Sequence, residues 1–116
     1  MGSLVLSILL MAAASAFAQE SPAGSAERGQ KHFTKYMCYT CHGSAGQGAD
    51  RGTGPKIAPS PMPYLAFVLQ VRTPRLDMPP YRKEFVNDQE LADIYAYLSS
   101  IKPSPPAKDI PLLSFD

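Results

Sequence analysis

The chain has 116 residues, a formal net charge of +1 and only two cysteines. A near-neutral chain lacks the dense basic surface that nucleic-acid phosphates require, which argues against nucleic-acid binding. Because both cysteines fall within one short motif, none is left for a disulfide framework.

The N-terminal segment has the pattern of a secretory signal. Residues 1–18 carry no charged side chain, positions 4–11 are almost all apolar, and Ala-Phe-Ala at 16–18 fits small-x-small cleavage. The absence of Lys or Arg before the apolar run leaves an uncleaved anchor as the alternative, although a membrane span needs about 20 apolar residues. We therefore expect a periplasmic protein with a signal peptide at 1–18, one domain at 19–102 and a proline-rich tail at 103–116.

The first helix is predicted over residues 26–37, with Ser25 as its N-cap. Gly29 costs helix stability by about 1 kcal/mol relative to alanine, so we expect another helix to approach closely there. His32 is off the apolar face and is expected to face solvent. The apolar face is formed by Gly29, Phe33, Tyr36 and Met37.

Residues 38–42 read Cys-Tyr-Thr-Cys-His, the spacing of a covalently attached haem. The thiols of Cys38 and Cys41 can each add to a vinyl group, while His42 binds the iron. A thioredoxin-like pair, half of a zinc site and a structural disulfide are the alternatives. The first needs a βαβ pattern and the second another ligand pair, whereas the chain has only His32 besides the motif. The motif predicts one haem c.

A glycine-rich loop is predicted at 43–55, without a phosphate-binding pattern. Ser60 followed by Pro61 predicts the start of a helix that continues to about residue 72. A buried strand over 64–71 is the competing interpretation, and the start signal favours the helix.

The segment 76–81 contains adjacent prolines and is predicted to be extended or turning. Asn87 and Glu90 form a capping-box pattern for a last helix that ends before Pro103. Its apolar stripe is Leu91, Ile94, Tyr95, Leu98 and Ile101.

Three methionines outside the leader could bind the sixth position of the iron. Met37 adjoins Cys38 and is expected on the histidine side. Met78 lies between stiffening prolines, which favours it as the ligand over Met62.

At this point the chain resembles a small bacterial class I cytochrome c over residues 25–102. The shared features are Gly29 and Phe33, the Cys-x-x-Cys-His-Gly motif, Gly54-Pro55-Lys56-Ile57, Met78-Pro79-Pro80-Tyr81 and Ala96-Tyr97-Leu98. The resemblance implies an all-α fold of three to four helices around one covalently bound haem, with His42 and Met78 on the iron.

The resemblance further implies that Gly29 meets the Tyr97 region and that the Pro55 carbonyl orients His42. The chain has no tryptophan, so the tryptophan that contacts a haem propionate in mitochondrial members is missing. The candidates for that contact are Arg72, Arg75 and Tyr64.

The expected function is electron transfer, with no bond chemistry of its own. A periplasmic dehydrogenase is the expected donor, with the chain as its haem subunit or acceptor, and a terminal oxidase or another cytochrome receives the electron. The alternatives are a haem enzyme or gas sensor with an open sixth position, or a metal-free Cys-x-x-Cys protein.

Two surface features suggest docking, and with it a hetero-oligomer. The expectation is that basic residues surround the exit face near Met78 and that the acids of the last helix lie elsewhere. These basic residues are Arg72, Arg75, Arg82 and Lys83. The tail is expected to be extended and to offer apolar side chains to a partner, the alternatives being a fold back onto the domain or a disordered end. The apolar side chains are Ile110, Leu112, Leu113 and Phe115.

Overall fold

The computed structural model describes residues 22–49, 54–60 and 62–113, and the predicted signal peptide lies outside them. The described ranges hold helices, turns and loops and no strand, which confirms the all-α expectation. The helices are α1 (Ala26–Lys35), α2 (Tyr39–His42), α3 (Tyr64–Arg72) and α4 (Asp88–Ser100), followed by 3₁₀ turns at Ala107–Asp109 and Pro111–Leu113. None of the helices in these ranges is long and apolar enough to cross a membrane.

Helix α1 ends two residues earlier than predicted. Its start is as expected, since the Ser25 hydroxyl accepts a hydrogen bond from the Arg28 N–H at 3.3 Å. Its end is a Schellman turn, in which the Cys38 N–H donates to the Phe33 carbonyl and Met37 takes a positive φ of 59°. The placement of Met37 on the apolar face was therefore wrong, because the turn leaves that side chain 57% exposed.

Helix α4 begins and ends as the sequence predicts. The Asn87 side chain accepts from the Glu90 N–H, and the Glu90 carboxylate accepts from the Asn87 N–H. The helix crosses α1 at Gly29, where an added Cβ would overlap the Asp93 carbonyl and lie 2.8 Å from the Tyr97 Cβ. The close approach expected at Gly29 is confirmed.

A charged cluster joins α1 to α4 beside this crossing. Arg28 binds both carboxylate oxygens of Asp93, at 2.8 and 2.9 Å, and the Ser25 N–H donates to the same carboxylate at 2.7 Å. His32 lies between acids, with Nδ1 3.7 Å from Glu90 and Nε2 3.7 Å from Asp93. Its side chain is only 20% exposed, so the expectation that it faces solvent was wrong.

Helix α3 is a helix and not the alternative strand, but it starts at Tyr64 with Pro63 as its N-cap. The predicted start at Ser60 and Pro61 was therefore too early, and Pro61 itself lies outside the described residues. Phe67 and Val71 form the buried face of the helix. They join a core whose other buried members are Phe33, Ala58, Val86, Leu91, Ile94, Tyr97 and Leu98.

Beyond α4 the chain is exposed for most of its described length. Residues 102–106 have no regular structure, and the two 3₁₀ turns follow. The tail is therefore not extended throughout, because the turn bond from the Asp109 N–H to the Pro106 carbonyl shortens it. Leu112 is 92% exposed and Leu113 50%.

Candidate functional site

The Schellman turn that ends α1 leads directly into α2, which carries the cysteine-histidine motif. Cys38 is the N-cap of α2, and Cys41 and His42 are its last two residues. One short helix therefore presents both thiols and the imidazole within a single turn.

His42 is buried, and its ring is oriented by a backbone contact. Its Nδ1 lies 2.8 Å from the Pro55 carbonyl oxygen. Because a carbonyl oxygen can only accept, Nδ1 carries the proton, and in the neutral ring Nε2 keeps a lone pair for a metal. The contact is the one that the resemblance implies for Pro55.

The two cysteines have different surroundings. Cys38 is half-buried and Cys41 is exposed. Burial raises the pKa of the Cys38 thiol to about 11, so the thiol is protonated at neutral pH. A thioredoxin-like pair instead depends on a thiol with a lowered pKa, and the Cys38 surroundings do not provide one.

Two adjoining cavities open between α2, α3 and the segment before α4. The inner one has a volume of about 40 Å³ and the outer one about 310 Å³. Cys38 lines the inner cavity, Cys41 lines the outer one, and His42 and Met78 line both. The remaining walls that the two cavities share are Ile57, Phe67, Val71 and Leu98.

This lining fits a haem. An imidazole and a thioether face one apolar space, which is the donor set of a His/Met-ligated iron, and a thiol lies at the edge of each cavity. The apolar walls suit the faces of a macrocycle, and the outer space is large enough for a cofactor. The residues present therefore match the cofactor that the motif predicts.

The three candidate methionines occupy different places. Met78 is half-buried, and its Sδ lies 3.9 Å from the Gln70 side-chain nitrogen. Met62 lines only the outer cavity, and Met37 lines neither. Of the three, Met78 alone reaches the inner cavity beside His42.

A comparison with protein families agrees with this geometry. The model of the family described as cytochrome c oxidase, cbb3-type, subunit III matches residues 24–98, well over half of the chain. The chain belongs to this family of c-type cytochromes. Haem-based electron transfer is therefore its activity at the level of the domain. No curated protein and no solved structure matches the chain.

The three residues suggested as partners of the haem propionates lie in different places. Arg75 lines the outer cavity. Arg72 does not, because its guanidinium is hydrogen-bonded to the chain beyond Met78. Tyr64 packs edge-on against Tyr95 of α4, away from both linings. Lys56, to which sequence reasoning gave no such role, also lines the outer cavity.

Sequence reasoning also missed the polar side chains around Met78. Gln70 lies one α3 position before the buried Val71, so the helical period alone leaves it unremarkable. Tyr36 and Tyr81 both line the inner cavity, and the Tyr81 hydroxyl donates to the Tyr36 carbonyl at 3.1 Å. The Met-Pro-Pro-Tyr sequence draws attention to Tyr81, but it does not give the partner of its hydroxyl.

Proposed function

We propose that this cytochrome is an exported carrier of single electrons with one haem c. Cys38 and Cys41 attach the haem, and His42 and Met78 bind the iron. The observation that carries the proposal is that His42 and Met78, from α2 and from the loop before α4, line the same two cavities. When bound, the haem supplies a reversible one-electron couple.

The protein's part is to fix the ligands and to keep the site dry. The Pro55 carbonyl holds the His42 ring in one tautomer. Buried apolar side chains such as Phe67 and Val71 line both cavities, and an apolar environment favours the reduced, less charged state of the site. A thioether ligand acts in the same direction.

Lys56 and Arg75 are the proposed partners of the haem propionates. Both line the outer cavity, so their charges can compensate carboxylates at its mouth. Asp77 lines the same mouth with the opposite sign, which leaves one positive charge among the three.

The basic surface expected around Met78 is smaller than the sequence suggested. Asp88 of α4 binds Arg72 at 2.9 Å and Lys83 at 2.6 Å, so one acid of the last helix lies among these bases. Arg82 lines neither cavity. Among the four predicted bases, Arg75 is the one that lines the outer cavity, and it shares that lining with Lys56.

The proposed donor is a periplasmic dehydrogenase, and the proposed acceptor is a terminal oxidase or another cytochrome. The family's description names an oxidase subunit, which supports the oxidase as acceptor. The exposed tail supports a lasting assembly with one of these proteins, because Leu112 and Leu113 offer apolar surface beyond the domain.

The first test is haem attachment in the purified holoprotein. Acid-acetone extraction should leave the haem on the polypeptide, and Cys41→Ser should leave a single thioether bond. The oxidised protein should show the far-red charge-transfer band of methionine ligation. Haem that extracts freely would refute covalent attachment, and a protein that binds cyanide at once without that band would favour the open-site enzyme or sensor.

A further inference from the structure

Arg72, the last residue of α3, connects three parts of the chain through its guanidinium group. Nη1 donates to the Tyr81 carbonyl at 2.9 Å and to the Val86 carbonyl at 2.7 Å. Nη2 donates to the Asp88 carboxylate at 2.9 Å. The Arg72 side chain is only 17% exposed, and its two bonds to carbonyls are partly buried, whereas the Asp88 carboxylate is 55% exposed.

The three acceptors follow Met78 along the chain. Tyr81 comes three residues after Met78, Val86 is buried in the core, and Asp88 is the first residue of α4. The Tyr81 N–H also donates to the Val71 carbonyl at 3.0 Å, one residue before Arg72. The end of α3 therefore holds the returning chain through both its backbone and the Arg72 side chain.

Before Met78 the backbone takes a conformation that leucine rarely adopts. Leu76 has a φ of +61° and is 98% exposed, although it is apolar. A backbone in that conformation gives leucine no steric advantage, so the path into Met78 is not fixed by local preference. Besides the contact of its sulfur with Gln70 at 3.9 Å, the position of Met78 depends on the bonds that hold the chain after it.

We propose that Arg72 is a positioning residue for Met78, a role that rests on the proposed His42/Met78 ligation. Its guanidinium fixes the segment between Tyr81 and Asp88, and this keeps the Met78 sulfur turned towards the cavity of His42. Hydrogen bonds from a charged donor are stronger than neutral ones, and their loss leaves the carbonyl acceptors unpaired. Lysine cannot replace this function, because its single ammonium does not have the planar fork that reaches several acceptors.

The experiment compares three variants of the ferric holoprotein. Arg72→Leu removes all the donors, Arg72→Lys keeps the charge without the fork, and Arg82→Leu is the matched control. Arg82 is an exposed arginine of the same segment that lines neither cavity. The measurements are cyanide affinity, the temperature at which the far-red band disappears, and the temperature at which far-UV circular dichroism is lost.

We expect both Arg72 variants to bind cyanide roughly tenfold more tightly, because a larger fraction of molecules has Met78 displaced. Their far-red band should disappear well before the helices melt, whereas in Arg82→Leu the band should behave as in the wild type. If Arg72→Leu does not fold, Arg72→Lys decides the matter alone.

The two possible failures are distinguishable. Arg72→Lys with the cyanide affinity and band temperature of Arg82→Leu would overturn the role of Arg72 and leave Met78 ligation intact. A wild-type protein without the far-red band would overturn Met78 ligation, and the role of Arg72 with it.

Discussion

Gly29 of α1 lies so close to the Asp93 carbonyl of α4 that a Cβ at position 29 would overlap that oxygen. The atom in the way belongs to the backbone of a helix and cannot rotate aside. The side chain of the same Asp93 binds Arg28 one residue before the glycine. The close packing of the two helices and the burial of the carboxylate are therefore parts of one contact.

Gly29→Ala should destabilise the domain although alanine is the better helix former. The propensity gain is about 1 kcal/mol, whereas forcing α1 away from α4 costs about 3 kcal/mol or more. We expect the melting temperature to fall by about 8 °C or more. Gln30→Ala is the control, because Gln30 is exposed and should leave the melting temperature nearly unchanged. A Gly29→Ala protein as stable as the control would show that the helices can separate without cost.

Asp93 should make the stability of the domain depend on pH in the acid range. Hydrogen bonds from Arg28, and further ones from Ser25 and Gln89, lower the pKa of this carboxyl to about 2 against the effect of burial. Because the pKa of Asp93 is lower in the folded than in the unfolded chain, the carboxylate stabilises the fold at pH values above the unfolded pKa. This contribution, roughly 2 kcal/mol, is lost as the pH falls from about 4 to about 2.

Urea denaturation at a series of pH values measures this loss. The Asp93→Asn protein should be less stable than the wild type at pH 6. Its free energy of unfolding should then fall much less than that of the wild type as the pH is lowered towards 2. Asp109→Asn, an exposed acid of the tail, is the control. His32 and Glu90 also face this cluster, so a decline that persists unchanged in Asp93→Asn would assign the pH dependence to them.

Local signals in the sequence were enough to predict the helices that carry the site. The capping residues Ser25 and Asn87, the cost of Gly29 and the spacing of the motif each depend on near neighbours in the sequence. The errors at Met37 and at the start of α3 were local as well, but the error at His32 came from distant partners. His32 faces acids that are more than fifty positions away, and no periodicity of α1 predicts them.

The same distinction applies to the basic residues near Met78. Their charge could be read from the sequence, but the pairing of Arg72 with Asp88 arises only when α3 and α4 come together. Lys56 was overlooked for the opposite reason. It belongs to the Gly54-Pro55-Lys56-Ile57 segment, but that segment gives the lysine no role, and only the cavity shows that it faces the site.

Met78→Leu should open the sixth position of the iron, and Met62→Leu should not. Met78 lines both cavities with His42, whereas Met62 lines only the outer one. The first variant should lose the far-red band and bind carbon monoxide readily when reduced. The second should keep the band, with at most a small loss of stability from a volume-conserving change. The reverse result would transfer the role of ligand to Met62.

Removal of the tail after Lys102 should leave the domain folded but prevent its assembly with a partner protein. The residues from 102 to 109 are exposed, Leu112 is 92% exposed, and the buried core ends within α4. The truncated domain should therefore keep its haem spectrum and its melting temperature. If the tail retains a partner, gel filtration of a periplasmic extract should show the full chain eluting with a dehydrogenase or oxidase activity, and the truncated chain eluting as a monomer. Equal elution of the two chains would end the docking role of the tail, and a truncated domain that unfolds would make the tail part of the fold.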